Sequence, residues 1–146
     1  MTEMTATELR LERTYDAPRG RVYEAWTNPE VLRRWWAAGP GFEGVAAEVD
    51  VRAGGRIRLT MRAPDGQEHS GGGEYTEVDP PEHLAYTWMW EGTDGHESLV
   101  SVDFVEVDGG TTVRLVHSGL ASEESVAQHG HGWSACLDNL ARVLEG

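Results

Sequence analysis

The residues of this chain that could do chemistry gather late in it, in "LVHSGL" with His117 and in "HGHGWSAC" with His129, His131, Trp133 and Cys136. His129 stands four residues before Trp133, a spacing that stacks both on one face of a helix. His131, two residues on, points away from His129, so the pair cannot chelate one ion and no metal site is expected. His117 alternates with Val113 and Leu115 and shares their face of a strand. Each of the two imidazoles, His117 and His129, reads either as a polar contact inside a cavity or as a structural group whose hydrogen bonds are satisfied within the protein. Cys136 falls on an apolar seam with Trp133, Leu137, Leu140 and Leu144 and has no base or oxyanion donor beside it. It reads as a buried structural thiol.

Glu74, Glu97 and Asp103 could act as a general base if one of them pointed inward among the aromatic residues, because burial raises a carboxyl pKa toward working pH. Alternation sets Asp103 opposite in sense to Val102 and Phe104, hence outward. The sequence carries no serine-histidine-aspartate spacing, no HExxH, no phosphate loop and no Rossmann glycine pattern, and no cofactor is expected.

Positioning these groups falls to a run of short strands. Between residues 43 and 118 apolar and polar residues alternate, broken by turn signals at "RAGGR", "APDGQ", "VDPPE" and "VDGGT". Links this short join antiparallel neighbours. One face collects Ile57, Leu59 and Met61, then Tyr86, Trp88 and Trp90, then Val100, Val102 and Phe104, then Val113, Leu115 and His117; the other is polar. An earlier strand is expected over residues 9–15. "DAPRGRVYEAWTNPEVLRRWW" then reads as two short helices, the second capped by Asn28 and opened by Pro29. Ser122, followed by Glu123 and Glu124, marks the start of a long last helix. Gly130 and Gly132 weaken that helix, so either it begins near Trp133 or its backbone passes close to another element there. The predicted order is strand, two helices, six strands and one helix, an α+β domain.

In "LRRWWAAGPGF" the adjacent Trp35 and Trp36 cannot share one helix face, so at most one points squarely into a core. Trp35 continues the apolar stripe of Val31 and Leu32. Trp36 is expected at the rim of a pocket.

The 146 residues suit one domain, with residues 1–7 as a disordered tail and 8–146 as the folded unit. No apolar run is long enough for a signal peptide or membrane span, and the single cysteine cannot form an internal bridge. A cytoplasmic protein is expected. The net charge of −13, from 25 acidic and 12 basic residues, repels nucleic acid and anionic membranes. Arg33 and Arg34 read as a solvated helix face.

A sheet of seven strands spans roughly 30 Å at about 4.8 Å per strand, whereas a helix is about 10–12 Å wide. The sheet must therefore curl around the helix, helped by glycines such as Gly71–Gly73, and this leaves space at one end. Whether aromatic side chains fill that space is not decided by their number.

The series "AWTNPEVLRRWWAAGPGF", "DVRAGGRIRLTMRAPDG", "GGEYTEVDPPEHLAYTW", "SVDFVEV", "TTVRLVHSGL" and "HGHGWSACLDNLARVLE" resembles the family named for the activator of the Hsp90 ATPase (AHSA1-like), within the Bet v 1-like, START-like superfamily (SRPBCC). The resemblance covers roughly residues 9 to 145. It implies a helix-grip fold: a curved seven-stranded antiparallel sheet holding a long C-terminal helix, two short helices between strands 1 and 2, and an interior cavity. His129 matches the family's recurrent histidine before the "GW" tryptophan. The loop "AAGPGF" departs from a WWGP-like run and is expected to lie over the cavity.

Such folds carry lipids or hormones, cyclise polyketides or contact a chaperone. The expectation is a protein binding a hydrophobic or aromatic small molecule between sheet and helix, through Tyr75, Trp88, Trp90, Phe104, His117, His129 and Trp133, with Trp36 and Phe42 at the entrance. Tyr75, His117 and His129 would orient the ligand by hydrogen bonds. An enzyme of cyclase or hydrolase type and a chaperone-accessory interaction module are the alternatives. A homodimer through an edge strand or the Trp36 loop is left open.

Overall fold

The computed structural model describes residues 8–92 and 97–145. The elements follow the predicted order: β1 (Leu9–Tyr15), α1 (Arg19–Thr27), α2 (Pro29–Trp35), β2 (Glu43–Val49), β3 (Arg56–Arg62), β4 (Glu68–Asp79), β5 (His83–Trp90), β6 (Ser98–Val107), β7 (Gly110–Ser118) and α3 (Glu123–Glu145). The tail expected over residues 1–7 lies outside the described residues. All strands pair antiparallel in one sheet ordered β1-β7-β6-β5-β4-β3-β2, which leaves β1 and β2 as its edges. Register shifts between Gly44 and Ala46 and between Tyr75 and Glu77 add local twist, and the sheet curls into a half-barrel around α3. This is the helix-grip architecture.

The alternation that defines the strands also defines the core. Ile57, Leu59, Tyr86, Trp88, Val100, Val102, Phe104, Val113 and Leu115 are buried on the concave face, against Trp133, Cys136, Leu137, Leu140 and Leu144 of α3. The Tyr15 hydroxyl donates to the Leu137 carbonyl at 2.8 Å, which ties the end of β1 to the middle of that helix. Met89, Leu99 and Val107 are the large apolar side chains exposed among the described residues, with Leu99 and Val107 at opposite ends of β6. Among those residues no helix is long and apolar enough to cross a membrane.

Local signals explain the helix ends. The Asn28 side chain accepts from the Glu30 N–H at 3.0 Å and Pro29 supplies the first helical residue of α2. Ser122 Oγ accepts from the Ser125 N–H at 3.1 Å, so α3 begins at Glu123 and runs unbroken through Gly130 and Gly132 instead of starting near Trp133. A Cβ added at Gly132 would lie 3.7 Å from the Ala38 Cβ, an ordinary contact. Gly132→Ala is therefore expected to raise stability by about 1 kcal/mol through helix propensity, read as a higher thermal midpoint.

Trp35 and Trp36 are both buried, at 0 % and 5 % exposure, which corrects the expectation that only one enters the core. The reason is that different elements cover the two rings. Trp36, about 100° further round the helix, is covered from another side, by Trp88 and Trp90 of β5, whose rings lie 5.5 and 5.9 Å from its own. Trp35 meets Trp26 edge-on at 4.8 Å, and its indole N–H donates to the Ala25 carbonyl at 2.9 Å.

Candidate functional site

The concave face does not fill completely. A pocket of about 290 Å³ lies between Met61, His69, Trp88, Trp90 and His117 of the sheet, Gln128, His129, Gly132, Trp133 and Cys136 of α3, and Trp36, Ala38 and Phe42 of the α2–β2 connection. Of the residues expected to hold a ligand, Trp36, Phe42, Trp88, Trp90, His117, His129 and Trp133 meet there. Tyr75 and Phe104 do not: Phe104 packs edge-on against Tyr23 at 5.3 Å and Tyr75 against Tyr86 at 5.8 Å, elsewhere in the core. Both point inward as alternation requires, but further along their strands. The Tyr75 hydroxyl is buried without a protein partner, and burial keeps its proton on by pushing its pKa up.

Trp36 is a wall of the pocket and not its rim. Its indole stacks on Trp90 at 5.9 Å and 29° and tilts against Trp88 at 5.5 Å. Trp88 and Trp90 meet edge-on at 5.3 Å. Room for the Trp88 indole comes from Gly71, the first of the glycine triplet, which lies within β4. Gly71 and Gly73 share the inward parity of Tyr75, and Gly71 sits beneath the Trp88 ring, where an added Cβ would lie 2.5 Å from Cζ2.

The two histidines are held by networks of their own. The Trp133 indole N–H donates to His117 Nδ1 at 3.1 Å, so the His117 proton resides on Nε2, which donates to Ser98 Oγ at 2.8 Å. The Ser98 hydroxyl in turn donates a hydrogen bond to the Trp88 carbonyl at 3.1 Å. Burial, with the neighbouring His129 adding to it, drives the His117 pKa down to about 3. His129 Nδ1–H donates to the Ser125 carbonyl at 2.8 Å, and Nε2 accepts from the Trp90 indole N–H at 3.1 Å. The rings stand edge to face, 4.9 Å apart. The ring nitrogens of both residues are thus taken by protein partners, which corrects the expectation that they orient a ligand by hydrogen bonds. They fix indoles instead: His117 holds Trp133 and His129 holds Trp90.

The Cys136 thiol donates to the Ala37 carbonyl at 3.4 Å, and burial pushes its pKa up to about 12, far from thiolate chemistry. Glu74, Glu97 and Asp103 are exposed and none lines the pocket. Asp103 bonds to His83 at 2.7 Å, on the outer face.

Sequence reasoning missed Ala38, Met61, His69, Gln128, Gly132 and Cys136 as lining residues. Gln128, Gly132 and Cys136 recur every four residues, which marks one helix face, but a polar residue and a glycine conceal it. His69 is inward by parity with Gly71, yet the triplet beside it offers no apolar alternation to show this.

The sequence model of the activator of Hsp90 ATPase homolog 1-like proteins matches residues 16–145. The chain belongs to this family. Solved structures agree on the fold. Protein CV1439 from Chromobacterium violaceum is 28 % identical, with a TM-score of 0.82 over 95 % of this chain and 98 % of its own. The AHSA1 (SPO3351) protein from Silicibacter pomeroyi is 28 % identical, with a TM-score of 0.83 over 94 % and 97 %. CalU16 from Micromonospora echinospora is 26 % identical, with a TM-score of 0.73 over 97 % and 80 %. No protein of curated function matches the chain. Within the family fold, the curled sheet is a scaffold suited to holding a ligand.

Proposed function

We propose that this family member is a cytoplasmic binding protein for a small apolar molecule, aromatic or acyl, taken into the pocket between sheet and α3. The observation that carries the reading is a hollow of about 290 Å³ walled by four indoles, Trp36, Trp88, Trp90 and Trp133, whose neighbouring imidazole nitrogens are already hydrogen-bonded. An apolar guest removes aromatic surface from water and leaves none of these polar groups unpaired; a polar guest would have to break an existing bond. The volume lies near the lower end for ligand pockets, about 300–1,000 Å³, and suits a bicyclic aromatic or a medium-length acyl chain. Exposed His69 and Gln128 stand at the mouth, where a ligand's polar end meets water.

The test is a fluorescence titration with naphthalene, indole and decanoate. Binding is expected to quench or shift the tryptophan emission and to saturate. Trp36→Leu, which removes one aromatic wall, is expected to weaken affinity about tenfold by calorimetry, the worth of one aromatic pair. A flat response to all three compounds overturns the proposal.

A further inference from the structure

This chain has 25 acidic residues for 12 basic ones, and every basic residue is an arginine. With acids in such excess, an arginine that no carboxylate meets stands out. Arg10, Arg13, Arg19, Arg33, Arg52, Arg58, Arg62 and Arg114 each pair with a carboxylate. Among the described residues Arg21, Arg34, Arg56 and Arg142 have none, and three of these four gather in one place. Arg34 and Arg142 line a groove of about 540 Å³ between α2, the start of β2 and the last turns of α3. Arg21 stands at its edge, its Nη2 reaching the Val143 carbonyl at 3.5 Å.

We propose that this groove binds the carboxylate or phosphate group of a small organic anion, gripped by Arg34 and Arg142, with the anion's apolar part on Phe42 and Val143. The site lies beside the aromatic pocket and is separate from it; Phe42 lines both. Arg142 is oriented for the task by a hydrogen bond to Asn139 Oδ1, and Asn139 is itself anchored through Nδ2 to the Trp35 and Ala37 carbonyls at 3.2 and 3.3 Å. The carboxylate in the lining, Glu43, is bound by Arg62 at 3.0 Å, so its charge is already answered. Guanidinium groups match carboxylate and phosphate oxygens in pairs, which favours an oxyanion over chloride. Both arginines also lie in the last turn of a helix, where a positive charge complements the dipole. That role affects stability and leaves anion affinity untouched, so experiment separates the two.

The experiment is calorimetry on the full chain in low-salt, phosphate-free buffer, with phenyl phosphate, inorganic phosphate and phenol. Phenyl phosphate is expected to bind wild type, more weakly as salt rises, and more tightly than inorganic phosphate because of its ring. In the Arg34→Gln/Arg142→Gln double variant its affinity is expected to fall tenfold or more, while phenol, which carries no charge at neutral pH, binds both proteins alike. Arg34→Lys, which keeps the charge and loses the fork, is expected to fall by less. Unchanged phenyl phosphate affinity in the double variant, or no phenyl phosphate binding to wild type, overturns the proposal. Cosedimentation of wild type with phosphatidic acid vesicles would also overturn it by assigning the groove to a lipid headgroup, an outcome opposed by the net charge of −13.

Discussion

Acidification from pH 7 to about pH 4.5 is expected to remove about 3 kcal/mol of stability through His117 alone. In the folded protein this imidazole is buried and neutral, with its pKa lowered to about 3; in the unfolded chain it titrates near 6.5. Between those values the unfolded state binds the extra proton, so the His117 contribution is whole above pH 6.5 and shrinks by about 1.4 kcal/mol for each unit below it. Protonation would also oblige Nδ1 to give up the bond from the Trp133 indole. His83 works the other way. Burial lowers its pKa, but the bonds to Asp103 and Glu77 at 2.7 and 2.6 Å outweigh this and hold it above the ordinary value. Its contribution is whole below pH 6.5 and is lost as pH rises through the raised value, so it partly offsets His117 on acidification. Urea unfolding of wild type and His117→Gln at several pH values isolates the term. The gap between the two proteins should narrow steadily below pH 6.5; a gap independent of pH would remove His117 as its source.

Gly71→Ala is expected to destabilise the protein by about 2 kcal/mol and to weaken binding in the aromatic pocket, from one methyl group. The added Cβ would lie 2.5 Å from Trp88 Cζ2, 2.8 Å from Cε2 and 3.2 Å from the Met89 carbonyl oxygen, so the indole must move. It cannot move freely. Trp36, Trp90 and Tyr86 surround it at 5.5, 5.3 and 6.2 Å, and the buried ring has no flexible end to deflect. Overpacking of this kind costs about 1–3 kcal/mol. The only direction left is into the pocket, which would shrink. A lower urea midpoint together with a weaker naphthalene titration checks both halves. Unchanged stability would mean that the Trp88 ring has more freedom than its neighbours suggest.

Much of this architecture was legible before any coordinates. Strict alternation on β3, β5, β6 and β7 named the buried face residue by residue, and short turn-forming links made the neighbours antiparallel. The seam of Trp133, Cys136, Leu137, Leu140 and Leu144 named the face that α3 would bury. Three pieces were not legible. The burial of Trp36 depends on Trp88 and Trp90 of β5, 52 and 54 residues away, closing over it, which no helix periodicity records. Tyr75 and Phe104 were assigned the right face and the wrong position along it, because alternation says which side a residue takes and not which neighbours it meets. The glycines of α3 lowered the propensity that marks a helix, and packing against the sheet overrode them.

By itself, then, the sequence determined the element order, the concave face and the aromatic and imidazole groups available to it, since these follow from local periods of two and 3.6 residues. Only the tertiary structure decided what those groups do. His117 meets Trp133 and Ser98, 16 and 19 residues away, and His129 meets Trp90 at a separation of 39. Arg34 and Arg142 converge from two helices at opposite ends of the chain. Hydrogen bonds and charges act over a few ångströms of space regardless of distance along the chain, so the use of each side chain was settled where the folded sheet and α3 brought its partners.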